Sequence, residues 1–326
     1  MDICETYSDR KLFCNDWEFY KAAFGSDYSE NFAFKPVDIP HDWLIYNTND
    51  LYETFTGWYR KNFSYQKKEG IRTFIRFDGV YMDSKVYVNG TLAGEWKYGY
   101  SAFMFDITDL VKDGENVVTV RVDHHAPNSR WYSGAGIFRK VWLCESPEIR
   151  FGNDGIYITT SKDEDGWQVT VKAEMLRPVG TPLGGIRIRN TIFDKDGKEA
   201  ASYESDACGA DISCIPEAVR VKGVSYSLTA QTMTVKDPEL WDIASPVLYT
   251  MVSEILVDGG CVQRVSQKFG FRTIKFKCDS GFYLNGRHVK LHGSCEHHDN
   301  GCLGAVSNPA AIRRRFKKLR KMGINA

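Results

Sequence analysis

The stretch LHGSCEHHDNGCLGA, residues 291–305, gathers Cys295, Glu296, His297, His298, Asp299 and Cys302 within a short run, with His292 just ahead of them. Three kinds of chemistry use such groups. Thiolates and imidazoles ligate zinc, but C-x-H-H-x3-C is not a familiar finger or enzyme spacing, and adjacent histidines diverge on an extended chain. A carboxylate such as Glu296 can move protons, but that work needs a partner, and Asp299 is too near in sequence to be an obvious one. The third use is as one wall of a binding pocket, where imidazole and carboxylate groups hydrogen-bond a ligand. Two other stretches carry comparable groups: Pro40-His41-Asp42-Trp43, and Ser129-Arg130-Trp131-Tyr132 leading into Gly134 and Gly136. In the first, Trp43 reads as buried and Asp42 as the cap of a turn. In the second, the two glycines suit close backbone approach.

The elements that must position these residues are mostly strands. The chain has 326 residues, enough for two or three domains. It is 13% aromatic, with eight Trp and seventeen Tyr, a content that suits strand-rich cores and also sugar-stacking surfaces. TFIRFDGV (73–80), KVYVNG (85–90), NVVTVRVD (116–123) and GIFRKVWL (136–143) alternate apolar and polar residues or cluster β-branched and aromatic ones. Asn89-Gly90 reads as a hairpin turn. Residues 1–146 are therefore expected to form a jelly-roll sandwich. A second β-rich block, 147–275, runs from GIYITTS (155–161) to VQRVSQKFGFRTI (262–274). Its seven or so strands predict an immunoglobulin-like sandwich without the antibody disulfide.

The pattern changes near residue 276. FYLNGRHVKLHG (282–293) predicts a hairpin about Asn285-Gly286 whose second arm leads into the opening stretch. A helix follows: Asn308 can cap it, Pro309 suits its first position, and Gly323 can end it. Ile312, Phe316, Leu319 and Met322 share one face. Ile324 reads as the start of another buried strand. Strand, loop, helix, strand opens an α/β repeat, and a full α/β barrel needs roughly 200 residues or more. Residues 276–326 are thus expected to be the first unit of an incomplete barrel in a longer protein.

Bulk properties narrow the partners. Forty-two Lys and Arg balance forty-two Asp and Glu, so no general field attracts nucleic acid or acidic membranes. The basic run Arg313, Arg314, Arg315, Lys317, Lys318, Arg320 and Lys321 falls on the predicted helix, as a solvated face or an anion patch. No run of about 18 apolar residues predicts a membrane span. The start MDICETYSDRKLFCNDW lacks an apolar signal segment, and the nine cysteines form no C-x-x-C pair. Reduced thiols in a cytoplasm are the expectation, with Cys208 and Cys214 the pair that would bridge in an oxidising compartment. No cofactor motif is evident and no metal site is assigned.

VDIPHDW (37–43), GWYRKNF (57–63), VYVNG (86–90), SRWYSGAGIFRKVWL (129–143), KFGFRTIKF (268–276), FYLNGRHVKLHG (282–293) and HHDNGCLGA (297–305) occur in one order. Together they resemble glycoside hydrolase family 2, the β-galactosidase and β-glucuronidase group, over essentially the whole chain. The resemblance implies a jelly roll, an immunoglobulin-like domain, then a catalytic barrel, and retaining hydrolysis by two Glu residues on later barrel strands. This stretch alone is then not expected to hydrolyse glycosides. The resemblance also implies that His297 lines the sugar subsite, flanked by His298 and Asp299, and that Asp42 reaches the sugar or remains a structural corner. At position 130, where the family commonly has Asp, this chain has Arg130, as a hydroxyl donor or an ion-pair partner. A β-galactoside is the implied substrate, with β-glucuronidase or β-mannosidase as alternatives. A non-catalytic carbohydrate-binding or structural pair of β-domains is the reading from a different class. For the longer protein the resemblance leaves open a divalent or monovalent cation and implies a homo-oligomer. No measurable sugar binding is expected of this stretch alone.

Overall fold

The computed structural model describes residues 9–210, 221 and 223–326. They form two compact units: Asp9–Glu145 with Gly293–Ile324, and Ser146–His292 with the last two residues.

In the first unit ten strands make two antiparallel sheets. They are β1 (Asp9–Leu12), β2 (Trp17–Ala22), β3 (Lys35–Val37), β4 (Phe55–Tyr65), β5 (Ile71–Phe77), β6 (Ser84–Val88), β7 (Thr91–Trp96), β8 (Phe103–Asp106), β9 (Gly114–His124) and β10 (Val141–Pro147). One sheet runs β3-β2-β4-β9-β6-β7 and the other β1-β10-β5-β8. The alternation read from the sequence sets the faces. Along β9, Val118, Val120 and Val122 are buried, while Val117, Thr119 and Arg121 between them are only partly covered. The inward set joins Trp17, Tyr59, Phe77, Val86 and Ile137 in one core, each fully buried side chain contributing about 1.5–3 kcal/mol. Asn89 and Gly90 turn β6 into β7 with φ of 50° and 81°, matching the strand twist.

The strand expected over 136–143 begins only at Val141. The preceding residues make a corner instead: Gly136 exchanges backbone hydrogen bonds of 2.9 Å with Tyr81, the His41 amide donates to the Ile137 carbonyl at 2.8 Å, and Trp43 to that of Ala135 at 3.1 Å. Backbone pairing to two separate segments displaces the regular ladder.

The other unit holds β11 (Arg150–Lys162), β12 (Trp167–Pro178), β13 (Ile186–Phe193), β14 (Glu199–Asp206), β15 (Val224–Val235), β16 (Tyr249–Val257) and β17 (Gly260–Phe269). Their two sheets, β11-β12-β15 and β14-β13-β16-β17, enclose a core centred on Trp167, Val169, Ile188, Met251 and Phe271. Within this core buried polar groups satisfy each other: Asn190 Nδ2 donates to Gln231 Oε1 at 2.8 Å, and Gln231 Nε2 to the Ile188 carbonyl at 2.9 Å. β14 has no clear alternation and was not predicted; its pairing with β13 supplies the order. All seven described cysteines, Cys208 among them, are free; Cys214 lies outside the described residues. No helix among the described residues is long and apolar enough to cross a membrane.

A small sheet of β18 (Ile274–Lys277), β19 (Gly281–Leu284) and β20 (Arg287–His288) contains the predicted hairpin, with Asn285 and Gly286 at positive φ. The stretch after β20 forms no regular strand. Residues 290–292 and 325–326 nevertheless meet: the Asn325 amide donates to the His292 carbonyl at 2.9 Å, and His292 returns a bond to Asn325 Oδ1 at 2.8 Å. Between them, in sequence, lies α1 (Pro309–Lys321). Asn308 Oδ1 caps it by accepting from the amides of Ala310 and Ala311, and Gly323 follows it at φ 88°.

Candidate functional site

The predicted site residues fall on three segments of one unit: the corner after β3, the loop between β9 and β10, and residues 296–305. Asp42 joins all three. It is completely buried, and both of its oxygens are taken. Oδ1 accepts from the amides of Leu44 at 3.1 Å and Ala135 at 3.0 Å. Oδ2 accepts from the Tyr132 hydroxyl at 2.5 Å and the Ala305 amide at 2.8 Å. Four donors fill the lone-pair directions of an acceptor-only carboxylate, and no surface is left for a sugar hydroxyl. Together these bonds tie the corner to the loop after β9 and to Ala305. The approach is close because two residues lack side chains: a Cβ on Gly134 would lie 2.8 Å from Asp42 Oδ2, and one on Gly304 2.4 Å from it. Burial, and then the Asp42 charge, push the Tyr132 phenol well above its ordinary range, so Tyr132 stays a donor.

The loop carrying His297 is held from two sides. On one side His298 Nε2 donates to the Ser133 carbonyl at 2.9 Å, and its ring packs against Tyr100 and Phe138 at 5.3 and 5.7 Å. On the other, the Arg315 guanidinium from α1 donates to the carbonyls of His297 (2.9 Å) and Asp299, to Asn300 Oδ1 (3.1 Å) and to Glu296 Oε2 (3.3 Å). Arg315 was read only as part of a basic helix face. Its position two turns inside a capped helix that follows this loop was the available signal.

Fixing the loop backbone leaves some side chains free. His297 is exposed, with its ring 4.7 Å from that of Trp131, and Trp131 itself is 41% exposed. Arg130 is exposed and makes no hydrogen bond or ion pair with the described residues. Asp299 is half-buried, its carboxylate likewise without a partner among the described residues. An aromatic face, an imidazole, a guanidinium and a carboxylate are thus available for stacking and hydrogen bonding. Displacement with retention needs two carboxylates about 5–5.5 Å apart. Here Asp42 is saturated and Glu296 is bound by Arg315, which leaves Asp299 alone. Among the described residues no three His, Cys, Asp or Glu side chains group to hold a metal ion; Cys295, His297, His298 and Cys302 do not converge.

Beside the corner lies His41, which sequence reasoning passed over. It is 4% exposed, its Nδ1 is 2.8 Å from the Tyr59 hydroxyl, and its Nε2 is buried without a partner. Burial pushes its pKa down to about 4, against the opposing pull of Asp42.

Comparison with known proteins adds the lineage. Residues 28–147 match the model of the glycosyl hydrolases family 2 sugar binding domain, and residues 153–272 match the glycosyl hydrolases family 2 model. A β-galactosidase of Bacteroides ovatus is 38% identical over 97% of this chain, and a β-glucuronidase of Bacteroides fragilis is 30% identical over 89%. The crystal structure of a glycosyl hydrolase family 2 member from Bacteroides cellulosilyticus superposes over 97% of the chain with a TM-score of 0.83 and 30% identity. The chain covers 38%, 42% and 42% of these three proteins, about two-fifths of their length. With two models of the same family matched in succession and the sandwich pair in place around them, this chain belongs to glycosyl hydrolases family 2.

Proposed function

We propose that this chain supplies the two β-domains and one wall of the sugar pocket in a retaining glycosidase that cleaves terminal β-glycosidic bonds. The observation that carries this reading is the His297 loop. Its backbone is pinned by Arg315 and by the Ser133 carbonyl, and it holds His297 against Trp131; Arg130 and Asp299, close to these two in sequence, have side chains without a hydrogen-bond or ion-pair partner among the described residues. In this reading His297 donates to a sugar hydroxyl, Asp299 and Arg130 meet neighbouring hydroxyls, and His298 and Asp42 hold the loop in place. A group fixed before the substrate arrives costs little reorganisation in the transition state. The carboxylate pair that breaks the bond comes from outside these residues, so the 326-residue chain alone does not hydrolyse glycosides. A β-galactoside is the proposed substrate, in keeping with the Bacteroides ovatus relative.

A second reading rests on Arg130. An exposed guanidinium with no acid partner among the described residues suits the carboxylate of a β-glucuronide, and the Bacteroides fragilis relative is a β-glucuronidase. The test is hydrolysis of 4-nitrophenyl β-galactoside, β-glucuronide and β-mannoside by the whole protein. For the preferred substrate, His297→Ala should lower kcat/KM about a hundredfold, or ~2.7 kcal/mol. Arg130→Ala should impair glucuronide cleavage selectively only under the second reading. Turnover by the 326-residue chain alone, or an unaffected His297→Ala enzyme, would refute the proposal.

A further inference from the structure

The outward face of the six-stranded sheet carries a groove built from residues the pocket loop does not use. Along β4, β9 and β6 the inward residues Tyr59, Val86, Val88, Val118 and Val120 belong to the core. The residues between them point the other way: Trp58, Arg60, Asn62, Tyr87, Thr119 and Arg121. Cross-strand register sets them side by side, with Trp58 opposite Arg121, and Thr119 between Arg60 and Tyr87. The solvent face of an antiparallel sheet is ordinarily polar, so a Trp and a Tyr at its centre call for a reason.

The chain between β2 and β3 closes one end. Its Gly25 amide donates to Thr56 Oγ1 at 2.9 Å, and the Trp58 indole donates to the Ser26 carbonyl at 3.2 Å. This brings Tyr28 to 5.3 Å from Trp58, while Tyr87 lies 6.2 Å away on the sheet. Trp58 is 3% exposed, so it forms the floor, and the half-buried Tyr28 and Tyr87 line the groove beside it, Tyr28 with the rings of Phe32 and Phe34 at 6.3 and 6.1 Å. The cavity between them measures about 640 Å³, within the roughly 300–1,000 Å³ typical of small-molecule sites.

The charges of the groove are balanced. Arg60 pairs with Glu18 at 2.9 Å and Glu30 at 3.7 Å, and Arg121 pairs with Asp123 at 2.9 Å and Asp27 at 3.7 Å. An anionic ligand would have to compete with four resident carboxylates. An uncharged polyol would instead find oriented donors and acceptors beside aromatic faces, without desolvating a charge of its own. We propose that this groove binds an uncharged oligosaccharide, its rings stacked on Tyr28 and Tyr87 and its hydroxyls met by Asn62, Thr119 and the two paired arginines. The site is independent of the reading given to His297. Binding there departs from the expectation that this stretch alone binds no sugar, because the groove, unlike the pocket, is lined within one unit.

Calorimetry of the 326-residue chain with β-1,4-galactotetraose, cellotetraose, mannotetraose and tetragalacturonate provides the test. At least one neutral tetrasaccharide should bind with a saturable isotherm. Tyr28→Ala and Tyr87→Ala should each weaken it about tenfold, with circular dichroism confirming that each variant is folded. Tyr203→Ala, which removes a 49% exposed aromatic ring from β14, should bind as the parent does. Absence of binding by every neutral probe at millimolar concentration would overturn the proposal. So would unchanged binding in both tyrosine variants, or binding of tetragalacturonate as tight as that of the neutral probes.

Discussion

Asp42→Asn replaces one oxygen by an amide group and keeps the shape of the side chain. The carboxylate accepts four hydrogen bonds, two on each oxygen. An asparagine can keep one oxygen toward the amides of Leu44 and Ala135. Its NH₂ must then face the Tyr132 hydroxyl and the Ala305 amide. The hydroxyl can rotate and accept, but the Ala305 N–H cannot. One buried donor is left opposed by another donor, at a cost of about 1–3 kcal/mol, and the remaining bonds lose their charge assistance, bringing the total to roughly 3 kcal/mol. For a unit of this size that corresponds to a fall in Tm of about 6–12 °C. The loss should also be local. Hydrogen exchange at Ala305 should quicken about thirtyfold, the equivalent of ~2 kcal/mol of local opening, while Leu44 and Ala135 change far less. Amide exchange read by NMR or by peptide mass spectrometry separates these sites. If Ala305 exchanges at its parental rate in the variant, or Leu44 and Ala135 open as much as Ala305, Asp42 does not clamp the loop as described.

Other consequences can be checked alongside. Gly304→Ala would place a Cβ 2.4 Å from both Asp42 Oδ2 and Ile45 Cγ2 at φ 59°; it should cost about 3 kcal/mol, against about 1 for Gly90→Ala, whose Cβ meets nothing within 4 Å, by chemical denaturation. Arg315→Lys keeps the charge but loses the planar fork that spans two carbonyls; peptides covering 297–300 should exchange nearly as fast as in Arg315→Ala, and parental protection in the lysine variant would contradict this role. His41 has a folded pKa of about 4, below the unfolded value near 6.5, so the unfolded state binds more protons between the two. Stability from this group is full above about pH 6.5 and is lost as pH falls toward 4, by about 3 kcal/mol. Denaturation midpoints across that window should slope less in His41→Gln, and an equal slope in both proteins would refute the assignment.

Much of the architecture was legible because it is local. Alternation along 116–123 chose the buried face of β9, Asn-Gly pairs marked two hairpins, and Asn308 with Pro309 and Gly323 bounded the helix. Each of these depends on neighbours a few residues away, and backbone sterics or a single hydrogen bond enforces it. β14 was missed because EAASYESD has little pattern of its own and takes its order from β13. The start of β10 was misplaced because residues 135–137 pair with 41–43 and with 81, which no periodicity reports.

The residues of the pocket wall were named from their types, but their roles required the tertiary structure. Asp42 had two readings in the sequence, and its burial and four donors are visible only in the fold. Its donors lie as far as 90 and 263 residues away in the chain, and only the fold brings them to one carboxylate. The outer groove is a stronger case. Trp58, Tyr87 and Thr119 are unremarkable strand residues until strand pairing and a loop from the start of the chain surround one cavity with them. Covalent neighbours and hydrogen-bonded turns are written in the sequence at short range. Whether an exposed-looking carboxylate is saturated, or an aromatic residue faces a core or a groove, depends on segments that meet only after folding.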